Sequence, residues 1–129
     1  MKLNFTKMNG AGNDFVMLDN RSGSLNLSKT QIARLCDRHR GIGADGVLLV
    51  EPSQNKEADF RMRYYNADGG EAEMCGNGAR CFARFVQKIG ACGERVRFET
   101  LAGIIRAEIN GELVRINLSQ PKGLKLHER

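Results

Sequence analysis

The 129-residue chain has no tryptophan, no C-x-x-C pair, and no apolar run approaching the roughly 20 residues that a membrane span requires. Its start, MKLNFTKMNG, lacks the apolar stretch of a secretory signal. These absences argue against a membrane protein and against an exported disulfide scaffold, and the expected location is the cytoplasm. The four cysteines, Cys36, Cys75, Cys81 and Cys92, are then expected to be thiols, and their spacing offers no zinc-type ligand pair, so no metal is expected. The net charge of +5 is spread along the chain, without a polybasic arm or interleaved aromatics. That argues against nucleic-acid binding and fits attraction of a small anionic substrate equally well. Internal repeats and low-complexity segments are also missing. What remains, 41% hydrophobic and 27% charged residues, is the composition of one ordinary folded domain.

The pattern along the chain is rich in short strands. Leu3 to Phe5 and Phe15 to Leu18 read as strands flanking the turn-rich loop MNGAGND. Ser28 and Gln31 form a capping box for a helix over about 29–39, on which Cys36 is a core residue and His39 lies at the C-terminal end. Val47 to Val50 reads as a buried strand, and Phe60, Met62 and Tyr64 alternate with polar residues up to Asn66. Ala79, Phe82, Ala83, Phe85, Val86 and Ile89 give a second helix, from about Gly78 to Lys88, too apolar around its circumference for a surface helix. Val96 and Phe98, then Ile105 to Ile109, mark two more strands. Asn110-Gly111 signals a hairpin to a last strand through Val114, Ile116 and Leu118. The expected fold class is α+β, a curved, mainly antiparallel sheet or barrel-like domain wrapped around a central apolar helix. The expected domain is 1–119, with 120–129 a linker or tail.

The chemistry concentrates in NADGGEAEMCGNGARC. Cys75-Gly76-Asn77-Gly78 lies between a polar turn and a helix, so the N–H groups of the first helical turn form an anion site. A thiol there has its thiolate favoured by the helix dipole, which can bring its pKa from about 8.5 toward neutrality. It could then give or take a proton. A glycine-rich turn could also cradle a phosphate, but no Walker lysine follows Gly78 and no dinucleotide fingerprint is present. Asn13, Asn66 and Asn77 all lie in asparagine-glycine loops, and their amides supply both the donors and the acceptors that an amino-acid head group needs. Glu71, Glu73 and Arg80 suit salt bridges fixing the loop as well as they suit substrate contacts.

Taken together, MNGAGNDFV, RHRGIGADG and NADGGEAEMCGNGARC resemble the N-terminal half of the diaminopimelate epimerase family, over essentially residues 3–120. The resemblance implies a pyridoxal-independent isomerase of lysine and peptidoglycan precursor synthesis, working without a cofactor. Two cysteines, one on each of two similar domains, would interconvert LL- and meso-diaminopimelate as acid and base on opposite faces of the α-carbon. In that scheme Cys75 matches the thiol that donates a proton in the LL-to-meso direction, and Asn13, Asn66, Gly76 and Asn77 match substrate-binding positions. The length of the cysteine run favours this family over proline-racemase-like and PhzF-like relatives. Two departures stand out. Some family members carry a substrate-contacting Gln where this chain has Gly46, and the second domain, with the second cysteine, is not in the sequence. Cys81 cannot replace it, because it lies about a turn and a half along the same helix as the Cys75 loop. The expected partner is therefore a C-terminal epimerase half, or a second copy of the chain. The alternative is a catalytically silent half-domain that binds an amino acid or mediates assembly.

Overall fold

A computed structural model describes residues 3–73 and 76–119. The order of elements is β1 (Thr6–Gly10), β2 (Asn13–Asp19), α1 (Lys29–Cys36), β3 (Gly46–Pro52), β4 (Phe60–Asn66), β5 (Glu71–Ala72), α2 (Gly76–Lys88), β6 (Arg95–Thr100), β7 (Gly103–Asn110) and β8 (Leu113–Ser119). The strands form one sheet in the order β1-β2-β3-β4-β6-β7-β8, with β5 added beside β4. The pairs β2–β3 and β4–β6 are parallel and the other pairs are antiparallel. The sheet is curled: α2 packs against β1 and β2 near one edge, β3 in the middle, and β7 and β8 at the other edge. A single helix can touch both edges of a seven-strand path only if the path bends around it. The α+β class and the wrapped central helix are thus as expected, with a sheet more mixed than a meander of hairpins.

Period-two alternation sends neighbouring side chains of each strand to opposite faces, and on β2 and β3 both faces are covered. On the inner face Phe15, Met17, Leu48, Val50, Met62 and Phe98 join the apolar side of α2, where Phe82 is fully buried and its ring lies 4.5 Å from that of Phe98. On the outer face Val16, Leu18, Val47 and Leu49 meet Ile32 and Cys36 of α1. Seven of the thirteen residues of α2 are buried, which is why its apolar surface is so wide. Cys36 is buried in the core, as its helical position predicts.

The departures from the sequence expectations lie mostly at element ends. Leu3 to Phe5 are not a strand, and MNGAGND is not a loop. Met8 to Gly10 complete β1 and Asn13 opens β2, leaving Ala11 and Gly12 as a two-residue turn. Both turn residues have positive φ, 54° and 98°, the handedness that matches the twist of paired strands. Pairing decides the limits of β1: it extends from Thr6 opposite Met17 to Gly10 opposite Asn13. The capping box on Ser28 is present, with both reciprocal bonds. The helix it starts ends at Cys36, because Asp37 is extended and its carboxylate accepts the backbone N–H groups of His39 and Arg40. His39 accordingly lies in the turn beyond α1 rather than on it. The second helix starts at Gly76, two residues early. The last hairpin turns on Gly111 and Glu112, with Gly111 at φ 63° in the first turn position, and Asn110 belongs to β7. The expected tail, 120–129, lies outside the described residues.

Candidate functional site

Register brings the chemically interesting residues to one end of the inner face. Met8, Phe15, Gly46 and Asn66 lie in one row across β1 to β4, and Met17, Leu48 and Tyr64 lie in the row below. Asn13, two residues before Phe15, rises from the same face of β2. The first turn of α2 sits over this end. A side-chain carbon built on Gly10 would lie 3.2 Å from the Asn77 carbonyl oxygen, and one on Gly78 would lie 3.6 Å from the Phe15 ring. The inner face thus passes from an apolar core beneath α2 to a group of asparagines at its end.

Two of the three asparagines touch. The Asn77 side-chain amide donates to the Asn13 carbonyl oxygen at 3.1 Å, across 64 residues of chain. The Asn13 amide nitrogen in turn faces an Asp45 carboxylate oxygen at 3.5 Å, a long contact. With Asn13 Oδ1 committed to Asn77, the pair offers Asn77 Oδ1 as an acceptor and amide N–H groups as donors, and the backbone N–H groups of the α2 start add more. This is a set that suits an ammonium and a carboxylate held side by side. Asn66 ends β4 in the same row as Gly46. Its backbone N–H donates to the Gly70 carbonyl at 2.8 Å and its carbonyl accepts from Gly69 at 2.9 Å, so the ADGG turn presents an exposed Asn66 side chain. Gly76 is the first residue of α2. Cys75 lies outside the described residues.

Gly46 is buried, and its lack of a side chain has a steric cause. A carbon added there would lie 2.7 Å from the Tyr65 carbonyl oxygen and 2.8 Å from the Tyr64 ring, so backbone or ring would have to move. The ring of Tyr64 also meets Phe15 edge-on, with centroids 5.9 Å apart. The ring of Tyr64 occupies the space that a side chain at position 46 would take.

An ion-pair cluster that the sequence reading missed holds the site's framework. Arg38 donates to both oxygens of Asp14, at 3.0 and 3.1 Å, and to Asp45 at 3.2 Å. Asp14 and Asp45 also exchange backbone-to-carboxylate bonds at 3.0 Å in each direction. Lys7 adds a contact to Asp14 at 3.4 Å. The Arg38 bonds, more than any other influence, hold the Asp14 carboxyl far below its ordinary range. The loop leading into β3 is clamped in this way to the start of β2, beside Asn13. Arg38, Asp14 and Asp45 lie within the motifs MNGAGNDFV and RHRGIGADG, but 24 and 31 positions separate the partners, and only β2–β3 pairing makes them neighbours.

The remaining candidates separate from the site. Glu71 forms a two-pronged pair with Arg63 at 2.9 and 3.1 Å, on the opposite face of β4 from Tyr64. Arg80 reaches back to the Gly76 carbonyl at 3.5 Å, and Glu73 is exposed. Cys81 is buried against β1 near Gly10. Cys36 and Cys92 have thiols raised above the ordinary range, chiefly by burial, which disfavours their thiolate forms. Among the described residues no cluster of three His, Cys, Asp or Glu could hold a metal ion, and no helix is long and apolar enough to cross a membrane.

Comparison with known proteins bears on this geometry. A family model described as "Diaminopimelate epimerase" matches residues 5–122. Curated proteins of that name from Nitrosospira multiformis and Archaeoglobus fulgidus are each 50% identical, over 125 and 128 residues. Both alignments cover 95% of this chain, but only 44% and 45% of the respective relatives. The chain therefore spans a little under half the length of the curated relatives it matches. Among solved structures, a hydroxyproline epimerase from Agrobacterium vitis superposes with a TM-score of 0.63 at 15% identity, over 83% of this chain and 37% of that one. A PhzF-family protein from Bacillus anthracis gives 0.57 at 22% identity, over 84% and 35%. These two are likenesses of fold.

Proposed function

The chain belongs to the diaminopimelate epimerase family, and from that premise we propose that it supplies the N-terminal half of a two-thiol site interconverting LL- and meso-diaminopimelate. The observation that carries the reading is the Asn77–Asn13 bond at 3.1 Å, which joins the start of α2 to the β1–β2 hairpin at the polar end of the inner face. Asn13, Asn66, Asn77 and the backbone at Gly76 would hold the ammonium and carboxylate of the reacting carbon. Cys75, the residue before α2, would face that carbon.

The chemistry is proton exchange at an unactivated α-carbon. A thiolate on one side takes the α-proton, the electron pair stays on carbon and its carboxylate, and a thiol on the other side returns a proton to the opposite face. In the LL-to-meso direction Cys75 is the donor. Its proton is replaced in the reverse direction, when Cys75 as thiolate becomes the base. Donors fixed in advance stabilise the charge that builds on the carboxylate, and exclusion of water strengthens them. A second domain bearing the other thiol is needed both for the base and for closure, and a C-terminal epimerase half is the partner that supplies it.

Hydrogen exchange tests this. The chain alone in deuterated water should not exchange the α-hydrogen of diaminopimelate. Mixed with the C-terminal half of the Archaeoglobus fulgidus relative it should, and replacing Cys75 by Ser should abolish that exchange. Exchange by the chain alone would overturn the two-domain division of labour. A mixture that binds diaminopimelate without exchange, whether or not Cys75 is present, would favour a silent binding half-domain.

A further inference from the structure

The bond between Asn77 and Asn13 has no preferred direction of its own. A carboxamide carries a carbonyl oxygen on one side and an N–H donor group on the other, so either asparagine could donate and its neighbour accept. A third group breaks the tie. Asn13 Nδ2 faces Oδ2 of Asp45 at 3.5 Å, and a carboxylate only accepts. Turned the other way, Asn13 would set its carbonyl oxygen against a charged oxygen. The Asp45 carboxylate is itself held in place. Its Oδ2 accepts the Asp14 backbone N–H at 3.0 Å, and its Oδ1 accepts from Arg38 at 3.2 Å. The backbone beneath is fixed as well, since the Asp45 N–H donates to the Asp14 carbonyl at 2.9 Å and to the Asp14 carboxylate at 3.0 Å. An immobilised acceptor therefore stands at one end of a chain of two amides.

Resting on the reading of this end as an amino-acid site, we propose that Asp45 is a positioning residue that sets the direction of the Asn77–Asn13 bond, and so leaves the pair with an acceptor for the ligand's ammonium. With Asn13 Oδ1 taken by the Asn77 amide, the acceptor that remains is Asn77 Oδ1. A reversed pair would use Asn77 Oδ1 to accept from Asn13 and would turn Asn13 Oδ1 toward Asp45. Only N–H groups would then be left for the ligand, and these suit a carboxylate but oppose an ammonium. Asp45 acts through Asn13 and need not touch the ligand. The Arg38 bonds to Asp14 and Asp45 serve the same end, because they keep the acceptor where Asn13 meets it.

The test separates direction from mere support of the loop. The 129-residue chain, labelled with nitrogen-15, is titrated into the millimolar range with meso-diaminopimelate and with its dihydroxy analogue, in which hydroxyls replace both amino groups. A hydroxyl donates or accepts while an ammonium only donates, so only the first ligand reads the direction of the pair. Asp45→Ala should weaken meso-diaminopimelate about threefold or more and leave the analogue within about twofold, since the competent direction is no longer the only one populated. Asp45→Asn keeps an acceptor oxygen for Asp14 N–H and Asn13, so it should bind meso-diaminopimelate within about twofold of the parent despite losing the charge that pairs with Arg38. Equal weakening of both ligands by Asp45→Ala, no weakening of either, or an Asp45→Asn variant as weak as Asp45→Ala would overturn the proposal and leave the proposed function standing. The direction is also read in the parent itself, whether or not Asp45→Ala folds. With carbon-13 added, a coupling across the hydrogen bond from Asn77 Nδ2 to Asn13 Cγ is expected, and one from Asn13 Nδ2 to Asn77 Cγ would overturn the proposal. A parent that shows no saturable shifts with meso-diaminopimelate would overturn both.

Discussion

The two faces of the sheet begin alike and end differently. Both use strands β2 and β3, by the same alternation, and each is covered there by one helix. The outer face, under α1, finishes as structure: Ile32 and Cys36 seal it, Ser28 caps the helix, and Arg63 pairs with Glu71 at its margin. The inner face, under α2, is equally dry around Phe82, Phe98 and Met17 but ends in Asn13, Gly46, Asn66 and the start of α2. A face that is polar at one end, with the start of a helix directed there, is suited to offer donors to a ligand. The lesson is that burial alone does not separate scaffold from site in this chain. The end at which burial stops is what differs.

Thiol reactivity should show the widest gap between the faces. Iodoacetamide at neutral pH is expected to modify Cys75, before the inner helix, at least tenfold faster than Cys36, given the thiolate stabilisation a helix start provides. Cys36 is 4% exposed, so its slow labelling reflects access as well as its raised pKa. Cys92 is the sharper reference, since it is only half-buried and burial raises its thiol too. Peptide mass spectrometry gives the order, and labelling of Cys92 at the rate of Cys75 would remove the claim of an activated thiol.

Core truncations come next. Phe82→Ala should destabilise the chain by about 3–5 kcal/mol and Ile32→Ala by about 2–5 kcal/mol, because each leaves a cavity in a closed cluster. Denaturant melts measure the loss. If the faces differ in function as described, Ile32→Ala should leave ligand shifts at the Asn13 and Asn77 side-chain amides intact at temperatures where it stays folded. Loss of those shifts would mean that the outer cluster governs the site and that the two faces are not separable.

The smallest expected effect lies where the faces meet, at Asp14. Its carboxyl is held below the ordinary value of 3.8, first by the Arg38 bonds and against the cost of burial. A depressed folded pKa stabilises the fold above the unfolded value, and that contribution is lost as pH falls toward the folded one. The parent should therefore lose melting temperature between about pH 4 and pH 2 more steeply than Asp14→Asn does, since the variant has no such carboxyl to protonate. Parallel acid limbs would show that the Arg38 cluster does not hold the loop into β3 against β2.

Much of this was legible before any fold was known. Ser28 with Gln31 predicted a cap that forms as drawn, because a capping box needs only four neighbouring residues. The breadth of the apolar surface from Ala79 to Val86 predicted a central helix, because a helix with little polar surface must be surrounded. The β1–β2 hairpin was harder. In MNGAGND the turn residues suggested a loop, and only pairing with Phe15 and Asp14 turns Met8 and Asn9 into strand. The helix stop at Cys36 was hidden for a related reason, since the Asp37 carboxylate ends it by accepting the backbone N–H groups of His39 and Arg40, while His39 keeps helical spacing.

By itself the sequence determined the local matters: which stretches alternate, which helix is apolar on most sides, that Cys75 precedes a glycine-rich helix start, and the family whose motifs these are. Tertiary structure decided everything that joins distant segments. The Asn13–Asn77 bond, the Arg38 clamp on Asp14 and Asp45, and the Tyr64 ring over Gly46 each link residues that only strand register and the curl of the sheet bring together. The physical reason is that capping and alternation act over a few residues of one segment. A site made of amides and carboxylates needs angstrom-scale spacing between segments, and only the closed packing of two faces supplies that.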